Sequence, residues 1–185
     1  MRVKGTVILD LVRIIRAEKD KNWEPYMEPE DWEIINSTIM ASKWYPGDAF
    51  WRISYAVAKE VGRMTPENLF AFGRLSATSY LKLYSRLVIP DDPAGTIERC
   101  INSWHLFYDF EGSTAKRNEL EKGPNHVTIK AYDYPDMLMP EMRYPYFYGL
   151  AGYYQEMAET ALKGKEIRNT FTDKGDYYEI TYEWD

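Results

Sequence analysis

Apolar residues along this chain recur first at intervals of three and four and later at intervals of two, and the change falls near Gly112. Intervals of three and four place side chains on one face of a helix, whereas alternation places them on one face of a strand. Leu9, Leu11, Val12, Ile14 and Ile15 form an apolar stripe that stops at the charged run Glu18-Lys19-Asp20-Lys21. Glu28-Pro29-Glu30-Asp31 has the acidic, proline-containing character of a helix start, and Trp32, Ile35 and Ile39 follow it at helical spacing. After a break at Trp44-Tyr45-Pro46-Gly47-Asp48, Phe50, Ile53, Tyr55 and Val57 run to Gly62. Thr65-Pro66-Glu67-Asn68 combines an N-cap with proline at the first helical position, and the helix it opens is predicted to pass Gly73 and continue to Leu87. Pro90-Asp91-Asp92-Pro93 stops it. Thr96 to Phe110 then reads as one helix, with Ile97, Cys100, Ile101, Trp104, His105 and Tyr108 on a single face.

Beyond Gly112 the pattern is that of hairpins. Segments 113–121 and 126–132 flank Lys122-Gly123-Pro124-Asn125, and Val127, Ile129 and Ala131 alternate with His126, Thr128 and Lys130. A proline-rich passage from Tyr134 to Pro145 leads into a helix over Phe147–Leu162. A second hairpin closes the chain, turning at Asp173-Lys174-Gly175-Asp176, with Tyr178, Ile180, Tyr182 and Trp184 on one face. Helices followed by hairpin, helix and hairpin predict an α+β fold: an N-terminal helical part and a four-stranded antiparallel sheet covered on one face. No linker or repeat divides residues 1–185, so a single domain is expected.

Charge and cysteine content narrow the function classes. The formal charge of −6, with no long basic run, argues against nucleic acid. Asp10, Arg13 and Arg16 interrupt the N-terminal apolar run, so no signal peptide is expected, and no apolar stretch is long enough for a membrane span. The single cysteine excludes an internal disulfide and suits a reducing cytoplasm. The 16 tyrosines, 7 phenylalanines and 6 tryptophans imply a broad aromatic core, a pocket or an interface, and a homodimer is compatible with them.

Candidate chemistry is sparse. With two histidines and one cysteine in the chain, His105 is the leading side chain for a soft metal or a haem iron. The alternative is a core histidine bonded to a backbone carbonyl or to Asn102. Cys100 reads as a small buried hydrophobe, His126 as a solvated strand residue and the acids 28–31 as helix N-terminal charge. Tyr146, Tyr148, Tyr153 and Tyr154 are distributed around their helix, so some of them are expected to face a ligand or partner.

Several of these segments resemble the haem–nitric oxide/oxygen binding (H-NOX) domain in order and length. Lys4-Gly5-Thr6-Val7 is similar to its opening, residues 57–62 with Asn68-Leu69-Phe70 and Gly73-Arg74 to its helix–turn–helix, and Tyr144-Pro145-Tyr146-Phe147-Tyr148-Gly149-Leu150 to its long helix between hairpins. The resemblance puts His105 at the proximal iron ligand and Val7, Leu11 and Tyr80 near the distal side, with Trp104 and Tyr108 beside them. The family's propionate-binding Tyr-x-Ser-x-Arg is met by Tyr132-Asp133-Tyr134-Pro135-Asp136, which keeps the tyrosine and puts acid where cation is needed. The chain also resembles haem-free bacterial relatives of that fold, of unknown function and 4-vinyl reductase-like. The resemblance implies a non-enzymatic sensory or regulatory domain that binds a small apolar ligand or a signalling protein, without haem. The alternatives are a haem-based NO/O2 sensor using His105 and a small-molecule lyase or reductase.

Overall fold

A computed structural model describes residues 1–109, 118–132 and 140–185. Five helices precede the first hairpin: α1 (Gly5–Ala17), α2 (Pro29–Asn36), α3 (Gly47–Glu60), α4 (Pro66–Leu83) and α5 (Pro93–Asn102). The helix starts read from the sequence are present. Thr65 accepts from the Asn68 amide, and Glu28 and Asp31 close a reciprocal capping box on α2. Asp31 is nevertheless more than helix-terminal charge. It is fully buried, and its carboxylate is gripped at both oxygens by Arg52 of α3, at 2.6 and 2.8 Å.

The four-stranded antiparallel sheet is as expected, in the order β4 (Glu119–Gly123), β5 (His126–Tyr132), β7 (Tyr177–Glu183), β6 (Arg168–Asp173). Val127, Ile129, Ala131, Tyr178, Ile180 and Tyr182 form its buried face. On the other face the Thr128 and Thr181 hydroxyls bond across the strands at 2.9 Å. α6 (Arg143–Ala161) covers the apolar face, where the Tyr182 hydroxyl donates to the Ala151 carbonyl at 2.6 Å and the Phe147 ring lies 4.5 Å from that of Tyr178. Pro145 falls in the first turn of α6, where its missing N–H costs no hydrogen bond.

α4 lies along α6 at backbone contact distance. A Cβ at Gly73 would sit 1.8 Å from the Gly149 carbonyl oxygen, and one at Gly152 would sit 2.0 Å from that of Phe70. These two glycines are required by close approach rather than by their own backbone angles.

Three sequence expectations are corrected. α4 ends at Leu83, four residues before Leu87, and a short 3-10 turn follows. A second antiparallel sheet, β2 (Trp44–Pro46), β1 (Arg2–Lys4), β3 (Tyr108–Asp109), has strands of two or three residues, too short to leave an alternation in the sequence. The predicted helix over 96–110 stops at Asn102. Ser103 donates its N–H to the carbonyls of both Arg99 and Cys100, which tightens the last turn, and a 3-10 turn over Trp104–Leu106 leads into β3. β1 holds this segment, with the Lys4 amide bonded to the Phe107 carbonyl at 2.8 Å. Residues 113–117 of the expected first hairpin, and Asp133, Tyr134 and Asp136 of the propionate-like segment, lie outside the described residues.

Candidate functional site

α1, α3, α4, α5 and α6 surround a cavity of about 500 Å³, within the range of small-molecule sites. Val7 and Leu11 of α1, Trp51 and Ser54 of α3, and Leu69 and Tyr80 of α4 form one side. Cys100 of α5, Trp104, Phe107 and Tyr108 beyond it, and Tyr146, Leu150 and Tyr153 of α6 form the other. The exposed lining residues Arg13, Leu75, Ser76, Thr78 and Lys82 put the mouth between α1 and α4. The charged lining residues, Asp10, Arg13 and Lys82, sit toward this rim, and Asp10 is paired with Arg13 at 2.9 Å.

Aromatic rings hold the wall together edge to face. Tyr80 contacts Phe107 and Tyr153 at centroid distances of 4.9 and 5.8 Å, and Trp51 contacts Tyr146 at 5.5 Å. The polar groups among them are neutral. Burial, the largest cause in each case, raises the Tyr80 and Tyr153 phenols well above the usual tyrosine value, with the Thr6 hydroxyl opposing it at Tyr80. Burial likewise pushes the Cys100 thiol up to about 12, so it is a thiol and not a thiolate. Two buried wall atoms, Trp51 Nε1 and Ser54 Oγ, have no hydrogen-bond partner among the described residues. The Thr6 hydroxyl is a third: it lies near enough to Tyr80 to act on its ionisation without completing a hydrogen bond. Each such group forgoes about 1–3 kcal/mol until it is satisfied.

Five of the seven sequence-derived site residues, Val7, Leu11, Tyr80, Trp104 and Tyr108, meet at this cavity. His105 and Tyr132 do not line it. In the 3-10 turn, three residues per turn keep Trp104 and Phe107 inward and carry His105 and Leu106 outward. His105 is exposed, which corrects the expectation of a core histidine, although its Nδ1 does lie 2.8 Å from a backbone carbonyl, that of Asn102. Tyr132, on β5, donates to Glu119 at 3.0 Å and packs its ring near that of Tyr177.

The groups present in the wall do not match an axially ligated haem. The imidazole lies outside, and the candidate propionate-binding tyrosine donates to a carboxylate instead. Among the described residues no cluster of three or more His, Cys, Asp or Glu is placed to hold a metal ion. Nor, among them, is any helix long and apolar enough to cross a membrane.

Trp51, Ser54 and Cys100 are wall residues that the sequence did not mark as such. Trp51 and Ser54 stand three apart on the apolar face of α3, which was the available signal. Of the tyrosines distributed around α6, Tyr146 and Tyr153 face the cavity, Tyr154 is fully buried, and Tyr148 packs on Phe171 at 4.3 Å.

No family model matches the chain, and no curated protein matches it. Solved structures do. An H-NOX protein from S. oneidensis in the Fe(II)NO ligation state superposes with a TM-score of 0.65 at 13% identity, over 98% of this chain and 99% of that one. A structure from a study of haem distortion in the H-NOX family gives 0.64 at 13%, over 98% and 95%. A variant of the T. tengcongensis H-NOX gives 0.60 at 12%, over 97% and 96%. The likeness spans the helical part and the sheet together, and the chain has an H-NOX-like fold.

Proposed function

We propose that this protein is a non-enzymatic sensory or regulatory domain that holds a small apolar molecule, without haem, in the cavity among its helices. The observation that carries this reading is the cavity itself: about 500 Å³, walled by aromatic and aliphatic side chains, with neutral hydroxyl, thiol and indole groups inside and charge at the rim. Concave, largely apolar space with a few polar groups is what a small-molecule site requires. Occupancy favours the packing of α1 and α4 around the mouth that best fits the ligand, and a protein partner reading that face receives the signal. The exclusion of haem is supported by His105, which belongs to a turn that carries it to the surface.

The haem-sensor reading is the second one, favoured by the haem and Fe(II)NO named for the structural neighbours. Titration of the purified protein with haemin separates the two. The haem-free reading expects no Soret band of an axially ligated haem and the same spectrum for His105→Ala. A Soret band that His105→Ala abolishes sinks it.

A further inference from the structure

The cavity wall carries information about the chemistry of its occupant. Trp51 is 5% exposed, and its indole N–H is a donor with no accepting ability. Ser54 stands three residues further along α3, which puts the two side chains on the same side of the helix. Neither has a hydrogen-bond partner among the described residues, and both residues line the cavity. Buried polar groups left unsatisfied in a mostly apolar wall, the Thr6 hydroxyl among them, are what remains when the missing partner belongs to a ligand. A donor-only indole demands an acceptor. A cation would meet no carboxylate except Asp10 at the rim, already paired with Arg13. An anion would find its unpaired cation at Lys82, on the exposed edge of the mouth.

We infer that the occupant is a neutral, largely apolar organic molecule bearing one hydrogen-bond-accepting oxygen, a carbonyl or ether, seated between Trp51 and Ser54. The rest of the molecule lies against Leu69, Phe107 and Leu150. This rests on the proposed function and adds the class of ligand and the residues that select it.

The test uses three naphthalene probes on the full chain. They are the neutral ketone prodan (propionyl-dimethylaminonaphthalene), the parent dimethylaminonaphthalene without the carbonyl, and the corresponding anionic naphthoate. Binding is followed by probe fluorescence. Wild type is expected to bind the ketone most tightly. Trp51→Phe keeps the aromatic bulk and removes the N–H, and it is expected to weaken the ketone about five- to tenfold while leaving the carbonyl-free amine unchanged. Ser54→Ala acts in the same direction and removes only one oxygen from a helix, so it serves if Trp51→Phe does not fold. Equal weakening of ketone and carbonyl-free amine, no effect of either substitution, or tighter binding of the naphthoate overturns the inference and leaves the ligand cavity standing. Failure of both the ketone and the carbonyl-free amine to bind wild type removes the cavity reading itself.

Discussion

At the scale of single residues, the charged side chains that organise this fold are the ones that cross between elements. Arg143, at the start of α6, donates to Asp173 at 2.8 Å and to the Tyr178 hydroxyl at 2.9 Å, and its guanidinium lies 4.4 Å from the Tyr178 ring centre. Hydrogen bonds from Arg143, and then from the Gly175 amide, hold the Asp173 carboxyl down at about 2 against an ordinary 3.8. A carboxyl whose folded value is lowered contributes stability that is present above the unfolded value and is lost as pH falls toward the folded one. Asp173→Asn should therefore lower the urea midpoint at pH 7, and the difference from wild type should vanish between about pH 4 and pH 2. Asp173 is about half exposed (47%), so the effect at pH 7 should stay below about 1 kcal/mol. A difference that persists at pH 2 would show that the pairing is not its source. Asp31 is the contrasting case, fully buried against Arg52, and Asp31→Asn leaves a half-buried guanidinium without its counter-charge. Its cost is expected to be about 3 kcal/mol in the same denaturation assay.

Among the elements, the α4–α6 pair decides whether the cavity exists, because both helices supply its wall. Their approach is closed by glycine on backbone, where no side-chain rotation can relieve an added methyl. Gly73→Ala places a Cβ 1.8 Å from the Gly149 carbonyl oxygen and is expected to cost about 3 kcal/mol or to prevent folding. Gly149→Ala, on the facing helix, meets nothing nearer than the Leu69 carbonyl oxygen at 3.8 Å. That substitution should be neutral or stabilising by about 0.5–1 kcal/mol, since alanine favours a helix interior. Thermal melts of the two variants check the contrast, and equal losses would show that the helices do not meet as described. The hairpins and most helices were legible because long periodic segments repeat their signal many times. The helix over 96–110 was misjudged because its apolar spacing continues past Asn102 while the backbone does not. Residues 104 and 107 point inward under a three-residue period as well as under one of 3.6, so the pattern alone could not tell an α-helix from a 3-10 turn.

Across the whole molecule, ligand binding and stability are linked, because a molecule held by the cavity binds only the folded chain. Prodan at about 100 times its dissociation constant should stabilise the protein by about 2.7 kcal/mol. For a domain of this length that corresponds to a rise in Tm of about 5 to 10 °C, read by scanning calorimetry. No rise at saturation would mean that the probe binds the unfolded chain equally well. The α+β class and the four-stranded sheet were contained in the periodicity of the chain, because burial forces apolar residues onto one face of each element wherever they lie in sequence; the likeness to H-NOX came from the resemblance of particular segments, not from the period. Val7, Leu11 and Tyr80 could be assigned to a site from their family-like positions, and Trp104 and Tyr108 from the spacing they share with His105; the structure gathers these five around one cavity. What only the tertiary structure decided is the direction of His105. One short turn, held by pairing of Tyr108 with Val3 a hundred residues earlier, rotates the imidazole into solvent. It was also tertiary packing that left the Trp51 indole and the Ser54 hydroxyl buried in the cavity lining without a partner among the described residues. Both outcomes depend on contacts between distant segments, which local spacing does not encode.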